Sequence, residues 1–331
     1  MPSRQDAEDL ITRALIASAT SEPAARAVAR ALVAAEIDGQ AGHGFSRVAS
    51  YAAQARSGKV DGRAVPELAQ KSPALIEIDA GHGFAYPAID LALTAVARLA
   101  RDQGIAAAAI TRSHHCGQLA AHVERLALDG CVAIMVANTP KAMAPWGGDT
   151  AIFGTTPIAF AAPRAAAPPL VLDLSLSRVA RGKIMAAQKA GTQIPEGWAF
   201  DASGQATTDP AAALAGTMAP AGDAKGAALA LMVEILAATL IGANTSADAS
   251  SFFDAQGPAP GVGQLIIAIR ADGFVGAEFS HRLEALIATI EAQEGARLPG
   301  QSRHARRAAA ARDGIEIPAH LEAEIAALVG D

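Results

Sequence analysis

The chain has 331 residues, of which 51% are hydrophobic and only 4% aromatic, and a formal net charge of −6 at neutral pH. That length suits one large or two ordinary domains around a core of Ala, Leu, Ile and Val, in which helices pack closely on a sheet. The charge argues against a nucleic-acid surface, no apolar run reaches a membrane span, no signal-peptide region opens the chain, and two cysteines make no disulfide framework, so a cytoplasmic protein is expected.

Ala7 to Ser18 and Pro23 to Asp38 read as amphipathic helices, the second with a proline in its first turn and Val28, Leu32, Val33 and Glu36 at helical spacing. A polar, glycine-rich segment, D-G-Q-A-G-H-G-F-S-R, follows, then a helix from Val48 to Ser57 that carries Tyr51. Pro66 to Pro73 reads as connection and Ala74 to Asp79 as an alternating strand. Pro87 opens a helix that runs through Leu99 and stops at Gly104. Ile105 to Ile110 is a short apolar strand, joined by T-R-S-H-H-C-G to a helix that Gly117 and Gln118 open and that Leu119, Val123 and Leu126 mark. Cys131 to Asn138 is a second buried strand, so strand, helix and strand look like a βαβ unit. Phe153 to Ala162 and Leu170 to Leu174 read as a hairpin or meander, and Trp198 to Thr207 as a hairpin turning at Ser203-Gly204. Lys225 to Ile241 is a strongly apolar helix, Leu265 to Ile269 a further strand, and Glu284 to Glu294 and His320 to Val329 return to helical spacing. Helices at both ends with strands between them imply a helical domain made of residues 1–72 and 284–331, and an inserted sheet domain, 73–283, with a small subdomain.

The polar islands of the chain sit in glycine-containing turns and together suggest one cleft lined by many loops. At the histidine junction, free N–H groups and the positive end of a helix dipole would lie beside His114, His115 and Cys116, which suits an anionic ligand group. A loop whose histidines merely cap a helix is the plainer alternative. His43 precedes Arg47 by four residues. An imidazole can hand a proton to a developing alkoxide or amine, and a guanidinium can hold a carboxylate, so the pair suits reduction beside a carboxylate. A helix-start histidine with a solvent-facing arginine gives the same spacing. No G-x-G-x-x-G, Walker loop, G-x-S-x-G or H-E-x-x-H is present, and His43, His82, His114 and His115 lack paired ligand spacing, so no metal is expected.

Taken together, H-G-F-S-R with Tyr51 downstream, S-H-H-C-G, A-P-W-G-G-D-T-A-I-F-G-T-T-P-I-A-F-A, L-D-L-S-L-S-R-V-A-R-G-K-I, I-P-E-G-W-A-F-D-A-S-G-Q-A-T-T-D-P, D-A-K-G and R-L-P-G occur in this order across residues 38 to 300. In this the chain resembles the malate/L-lactate dehydrogenase family that lacks a Rossmann fold. That family includes sulfolactate, ureidoglycolate and diketogulonate oxidoreductases and the reductases of piperideine-2-carboxylate and pyrroline-2-carboxylate. The resemblance implies an α/β fold whose mostly antiparallel, non-Rossmann NAD(P)-binding sheet is inserted in the helical domain. It also implies NAD(P)-dependent hydride transfer and a homodimer. Carried over by residue, His43 is the proton donor and Arg47 the substrate-carboxylate clamp, with His115 as the other candidate acid. Tyr51, Thr155, Arg181, Gly182 and Lys183 fall on the substrate side. His115, Cys116, Gly117, Gln118 and Leu119 would meet the cofactor, as would Asp173, Leu174, Ser175, Ala224 and Lys225, with Gly300, Gln301, Ser302 and Arg303 at its phosphate-bearing part.

Two departures from the family pattern matter. Gly42 stands where the family usually has serine, which removes a hydroxyl relay to His43, and Lys183 stands where imine-reducing relatives often carry aspartate. The expected activity is NAD(P)H-dependent reduction of C=N or C=O at carbon 2 of a small carboxylate, with cyclic imino acids set slightly ahead of malate- or lactate-type substrates. A catalytically inactive cofactor-binding homologue is the alternative of another class. NADPH is favoured over NADH because Arg178, Arg303 and the basic run to Arg307 offer positive charge for a 2′-phosphate, and no acid lies in Gly300 to Arg307 to bind a ribose diol.

Overall fold

The computed structural model describes residues 1–330. Helix α1 (Arg4–Ile16) begins with a reciprocal Ser3–Asp6 capping box, and α2 (Glu22–Ile37) with proline in its first turn. Ile11 and Leu15 of α1 are buried in one core with Val28 and Leu32 of α2 and with Val48 and Tyr51 of α3 (Val48–Ser57). Ile315 and Ile325, the latter on α11 (Ala319–Val329), enter the same core, so the two ends of the chain share it.

The central sheet has seven strands: β1 (Glu67–Ser72), β2 (Leu75–Asp79), β3 (Ile105–Ser113), β4 (Cys131–Ala137), β5 (Ile158–Ala162), β6 (Leu170–Leu174) and β10 (Val262–Arg270). Their order is β1-β2-β3-β10-β4-β5-β6, and every neighbouring pair is antiparallel except β2 with β3. Strand alternation sorts side chains between two cores: Ile266 and Ala268 of β10 join Ala108, Ile110 and Met135 under α4 (Ala85–Gln103) and α5 (Ala120–Leu128), while Leu265 joins Val136 on the other face. Alanines of β3 and of the α4 inner face let helix and sheet approach closely.

That other face is covered by α8 (Ala224–Glu234), which continues into a π turn at Ile235–Thr239. Beside it lie α6 (Arg181–Ala190), α7 (Pro210–Ala215) and a small antiparallel sheet of β7 (Ala199–Phe200), β8 (Ala206–Thr207) and β9 (Thr217–Met218). Helices α9 (Glu278–Glu291) and α10 (Gln301–Asp313) follow the last strand. No described helix is long and apolar enough to cross a membrane.

Several sequence expectations need correction. β3 and β4 are not paired: β10 lies between them, antiparallel to both, so the apparent βαβ unit is split by a strand from late in the chain. The segment read as connection holds β1, whose exposed E-L-A-Q-K-S has no alternation and becomes a strand only by pairing with β2. α10 buries no residue and so has no apolar period to read; its Ala and Arg content supplies the helix propensity. α5 starts at Ala120 rather than at Gly117, whose φ of +69° lies in the left-handed region.

Candidate active site

The loop after α2 makes two short 3-10 turns, Ala41–His43 and Phe45–Arg47, before α3 begins. Glu36 pins it by accepting from Phe45 N–H at 3.0 Å, and Gly44 is required there because a Cβ would fall 2.0 Å from Glu36 Oε2. Arg47 donates from Nε to Gly42 O at 2.7 Å, which fixes the guanidinium plane, and its Cζ lies 4.5 Å from the centre of the Phe253 ring. No carboxylate pairs with Arg47 among the described residues. Burial lowers its pKa, as expected for a cation lacking a counter-charge.

The two candidate acids meet. His43 Nδ1 is 3.1 Å from His115 Nε2, His115 Nδ1 is 2.5 Å from the Tyr51 hydroxyl, and that hydroxyl is 3.2 Å from the hydroxyl of Tyr86. A row of three groups, Tyr86, Tyr51 and His115, therefore leads to His43, whose Nε2 has no protein partner among the described residues. Burial, reinforced by the charge of Arg47, holds His43 down at about 4 and His115 well below the usual imidazole value. Both rings are neutral near pH 7, so His43 can present an N–H only while its other nitrogen is held as acceptor by His115. His114 points elsewhere: its Nε2 meets Gln54 Oε1 at 2.7 Å, and the ring packs against Tyr51, Phe84 and Phe252.

Phe252 and Phe253 were missed by sequence reasoning, although the Phe252 ring centre lies 5.3 Å from that of His115. The F-F pair sits in a polar, non-periodic stretch, and only the topology brings it to the histidines. Tyr86 was missed as a partner of Tyr51: the helix was expected to open at Pro87, whereas α4 begins at Ala85 and carries Tyr86 in its first turn.

The residues expected to meet the cofactor gather around the end of β6. Asp173 Oδ2 accepts from Ala120 N–H at 2.8 Å, so the chain's own carboxylate fills the helix start that had been expected to face a ligand anion. Cys116 is buried beside it, with its thiol pushed up to about 12 by burial and by the charge of Asp173, and Gln118 Nε2 donates to Asp38 Oδ2 at 3.0 Å. Leu119 is buried and Leu174 exposed. Ser175 Oγ is 2.6 Å from Ser177 Oγ, and Leu176 N–H donates to Thr155 O at 3.0 Å. Ala221 N–H donates to Leu176 O at 2.8 Å, which brings up the opening of α8 with Ala224 and Lys225. Gly300 abuts Val171 O of β6, so Gly300, Gln301, Ser302 and Arg303 form the cap and first turn of α10 rather than a loop. Arg181, Gly182 and Lys183 open α6, and no hydrogen bond or ion pair joins them to His43 or Arg47. Arg181 is half-buried with no partner among the described residues, and burial lowers its pKa.

The positive charge expected for a 2′-phosphate is largely neutralised within the chain. Arg178 pairs with Asp223 at 2.5 Å, and Arg307 with Asp38 at 2.6 Å and Glu124 at 2.8 Å. Arg303 lies 3.7 Å from Asp38, too far for a hydrogen bond, and keeps its donors.

Residues 3–326 match the sequence family described as malate/L-lactate dehydrogenase. The chain is 51% identical to the (2R)-3-sulfolactate dehydrogenase (NADP(+)) of Chromohalobacter salexigens, over 99% of this chain and 97% of that one. It is 43% identical to the Delta(1)-pyrroline-2-carboxylate/Delta(1)-piperideine-2-carboxylate reductase of Pseudomonas aeruginosa, over 98% of each. Among solved structures, the Δ1-piperideine-2-carboxylate reductase of Pseudomonas syringae pvar. tomato superposes with a TM-score of 0.93 at 37% identity, covering 99% of both chains.

Proposed function

The chain belongs to the malate/L-lactate dehydrogenase family of NAD(P)-dependent oxidoreductases, and from that premise we propose that it interconverts a 2-oxo acid and its 2-hydroxy acid with NADP(H). The observation that carries this reading is the row that supports His43. Imino acids had been set ahead because Gly42 leaves His43 without a hydroxyl; His115 and Tyr51 supply that support instead. A ketone gains negative charge on oxygen as it is reduced and needs an aimed donor, whereas an iminium does not. Arg47, which meets no carboxylate among the described residues, takes the substrate carboxylate, and the neutral His43 gives its Nε2 proton to the new alkoxide while its Nδ1 takes the proton of His115 Nε2, whose Nδ1 in turn takes that of the Tyr51 hydroxyl. Arg181 and Lys183 suit a second anionic group at carbon 3, in keeping with the sulfolactate relative.

The residues fit a dinucleotide. The first turn of α10 has no side-chain cap, so the N–H groups of Gln301 and Ser302 are open to a phosphate, with the Arg303 side chain beside them. When bound, the nicotinamide supplies hydride. We further infer a cytoplasmic homodimer that uses α8 and the π turn after it, where Leu229, Leu231, Met232 and Ile235 are exposed although the helix is apolar nearly all round.

Cyclic imino acids are the second reading, supported by the S-H-H sequence and by the 43% identical reductase. The test compares kcat/KM for 3-sulfopyruvate, oxaloacetate and pyruvate with that for pyrroline-2-carboxylate and piperideine-2-carboxylate at one NADPH concentration. The dianionic 2-oxo acids should lead; a tenfold preference for an imino acid would reverse the order.

A further inference from the structure

The segment Ser251–Asp254 has no regular structure, yet it is fastened at several points to a distant part of the chain. Gln54, fully buried on α3, donates from Nε2 to Phe252 O at 2.8 Å while its Oε1 meets His114. Lys59 is 1% exposed at its side chain, and its ammonium donates to Ser251 O at 2.8 Å, Asp254 O at 3.1 Å and Asp254 Oδ1 at 2.9 Å. An ammonium taken out of water is costly unless its donors are met, and all three contacts of Lys59 are spent on this one strap. Its place is therefore over-determined by groups that take no part in the sheet or in the main cores.

Two aromatic rings are what the strap holds in place. Phe252 is buried against both junction histidines, with ring centres 5.3 Å from each. Phe253 is 42% exposed, so it is not spent on a core, and it covers one face of the Arg47 guanidinium. Arg47 Nε is already engaged by Gly42 O. A carboxylate must then approach along the remaining Nη edge, in the guanidinium plane, with the Phe253 ring flanking that plane. Whatever carbon 2 carries beyond the carboxylate has to pass the ring.

We propose that Phe253 is a specificity-determining residue that limits the bulk carried at carbon 3 of the substrate, and that Lys59 and Gln54 are positioning residues that hold it there through the Ser251–Asp254 strap. This rests on the reading of Arg47 as the clamp of a 2-oxo acid carboxylate. Phe253 covers the cation that binds the carboxylate and so stands beside the neighbouring carbon, where small substituents fit and branched ones collide. Lys59 never touches substrate; it fixes where the ring stands.

The test is a size series of 2-oxo acids, pyruvate, 2-oxobutyrate and 3-methyl-2-oxobutyrate, with wild type, Phe253→Ala, Lys59→Met and Lys59→Arg. Phe253→Ala should raise kcat/KM for the branched acid relative to pyruvate at least tenfold. Lys59→Met should raise KM more than it lowers kcat and shift the ranking the same way, and Lys59→Arg should recover part of the difference. Calorimetric binding of the matching 2-hydroxy acids to the NADP complex reads the same ranking without turnover, so loss of activity alone does not mask the result. If the wild type reduces only cyclic imino acids, the 2-oxo acid reading fails and the five- and six-membered rings become the size series. A uniform fall across all substrates in Phe253→Ala, or an unchanged ranking in Lys59→Met, overturns the proposal.

Discussion

His43 and His115 form one hydrogen-bonded unit, their rings 11° from parallel with centres 5.1 Å apart. On the proposed role of His43, a proton leaving it would be felt at His115, so the two would act together rather than as rivals. Single replacements His43→Ala and His115→Ala should each lower kcat by roughly 10²–10⁴-fold, the usual worth of a positioned acid. The double replacement should cost little more than either alone, since groups that act as a unit are not additive. NADPH affinity, read by fluorescence titration, should change little in His115→Ala because the ring is enclosed by Tyr51 and Phe252. Multiplicative losses in the double variant would mean two separate functions.

Gly42→Ser restores the residue usual in the family. A Cβ there meets nothing within 4 Å, so the change should alter stability by no more than about 0.5 kcal/mol. Turnover should stay close to wild type, because His43 Nδ1 is already satisfied by His115. A large gain in kcat would show that the existing row is an incomplete substitute for the serine.

Arg47→Lys keeps the charge but loses the planar fork. With a bidentate, charge-assisted pair worth roughly 1.5–3 kcal/mol, kcat/KM should fall about 10- to 150-fold for every substrate with a 2-carboxylate. Substrates lacking that carboxylate should be poor for both proteins, and steady-state kinetics on methylglyoxal against pyruvate makes the comparison.

Asp173→Ala should destabilise the protein by roughly 1–2 kcal/mol, because it removes the only side chain that accepts from the first N–H of α5. Asp173→Asn should recover part of that, since one acceptor oxygen remains. Urea unfolding of the three proteins gives the differences directly.

Acid should destabilise the fold ahead of ordinary carboxylate titration. Burial, together with Arg47 and Lys59, holds the His114 pKa down at about 3 in the folded chain, against 6.5 for an ordinary imidazole. Between those values the unfolded chain binds a proton that the folded one refuses, so stability falls as pH falls. From pH 6.5 to 5, His114 alone contributes a loss on the order of 2 kcal/mol. His43 and His115 act in the same direction, while Glu36, Asp173 and Glu234, raised by burial, act in the opposite one at lower pH. Melting temperature against pH should therefore be less steep in His114→Gln than in wild type; identical slopes would remove His114 from the account.

Much of this was legible in the sequence, and what was not has physical causes. Helices α1, α2 and α4 and strand β2 announced themselves by apolar period, because each buries one face, and β3 and β4 by short apolar runs, because the centre of the sheet is covered on both faces. β1, α6 and α10 did not, because they bury one residue or none and owe their form to a neighbour or to helix propensity. In the site, His43, Arg47, Tyr51 and His115 could be named from local spacing and from the resemblance. The bond between His43 and His115 spans 72 positions, and the fastening of Phe252 to Gln54 spans 198, so no local pattern carries either. The acid at the start of α5 was hidden for the same reason, since Asp173 reaches Ala120 across 53 positions.

The place of β10 at the centre of the sheet sets the timing of folding. β3 and β4 both pair with it, yet it is the last strand to leave the ribosome, after more than three quarters of the chain. Until then, two apolar strands expose edges that only β10 can cover, and the loss of chain entropy on closing those long loops comes before most of the contacts that repay it. Slow refolding, with its phase insensitive to changes in α1 and α2, and a nascent chain prone to edge-to-edge association follow from that one strand.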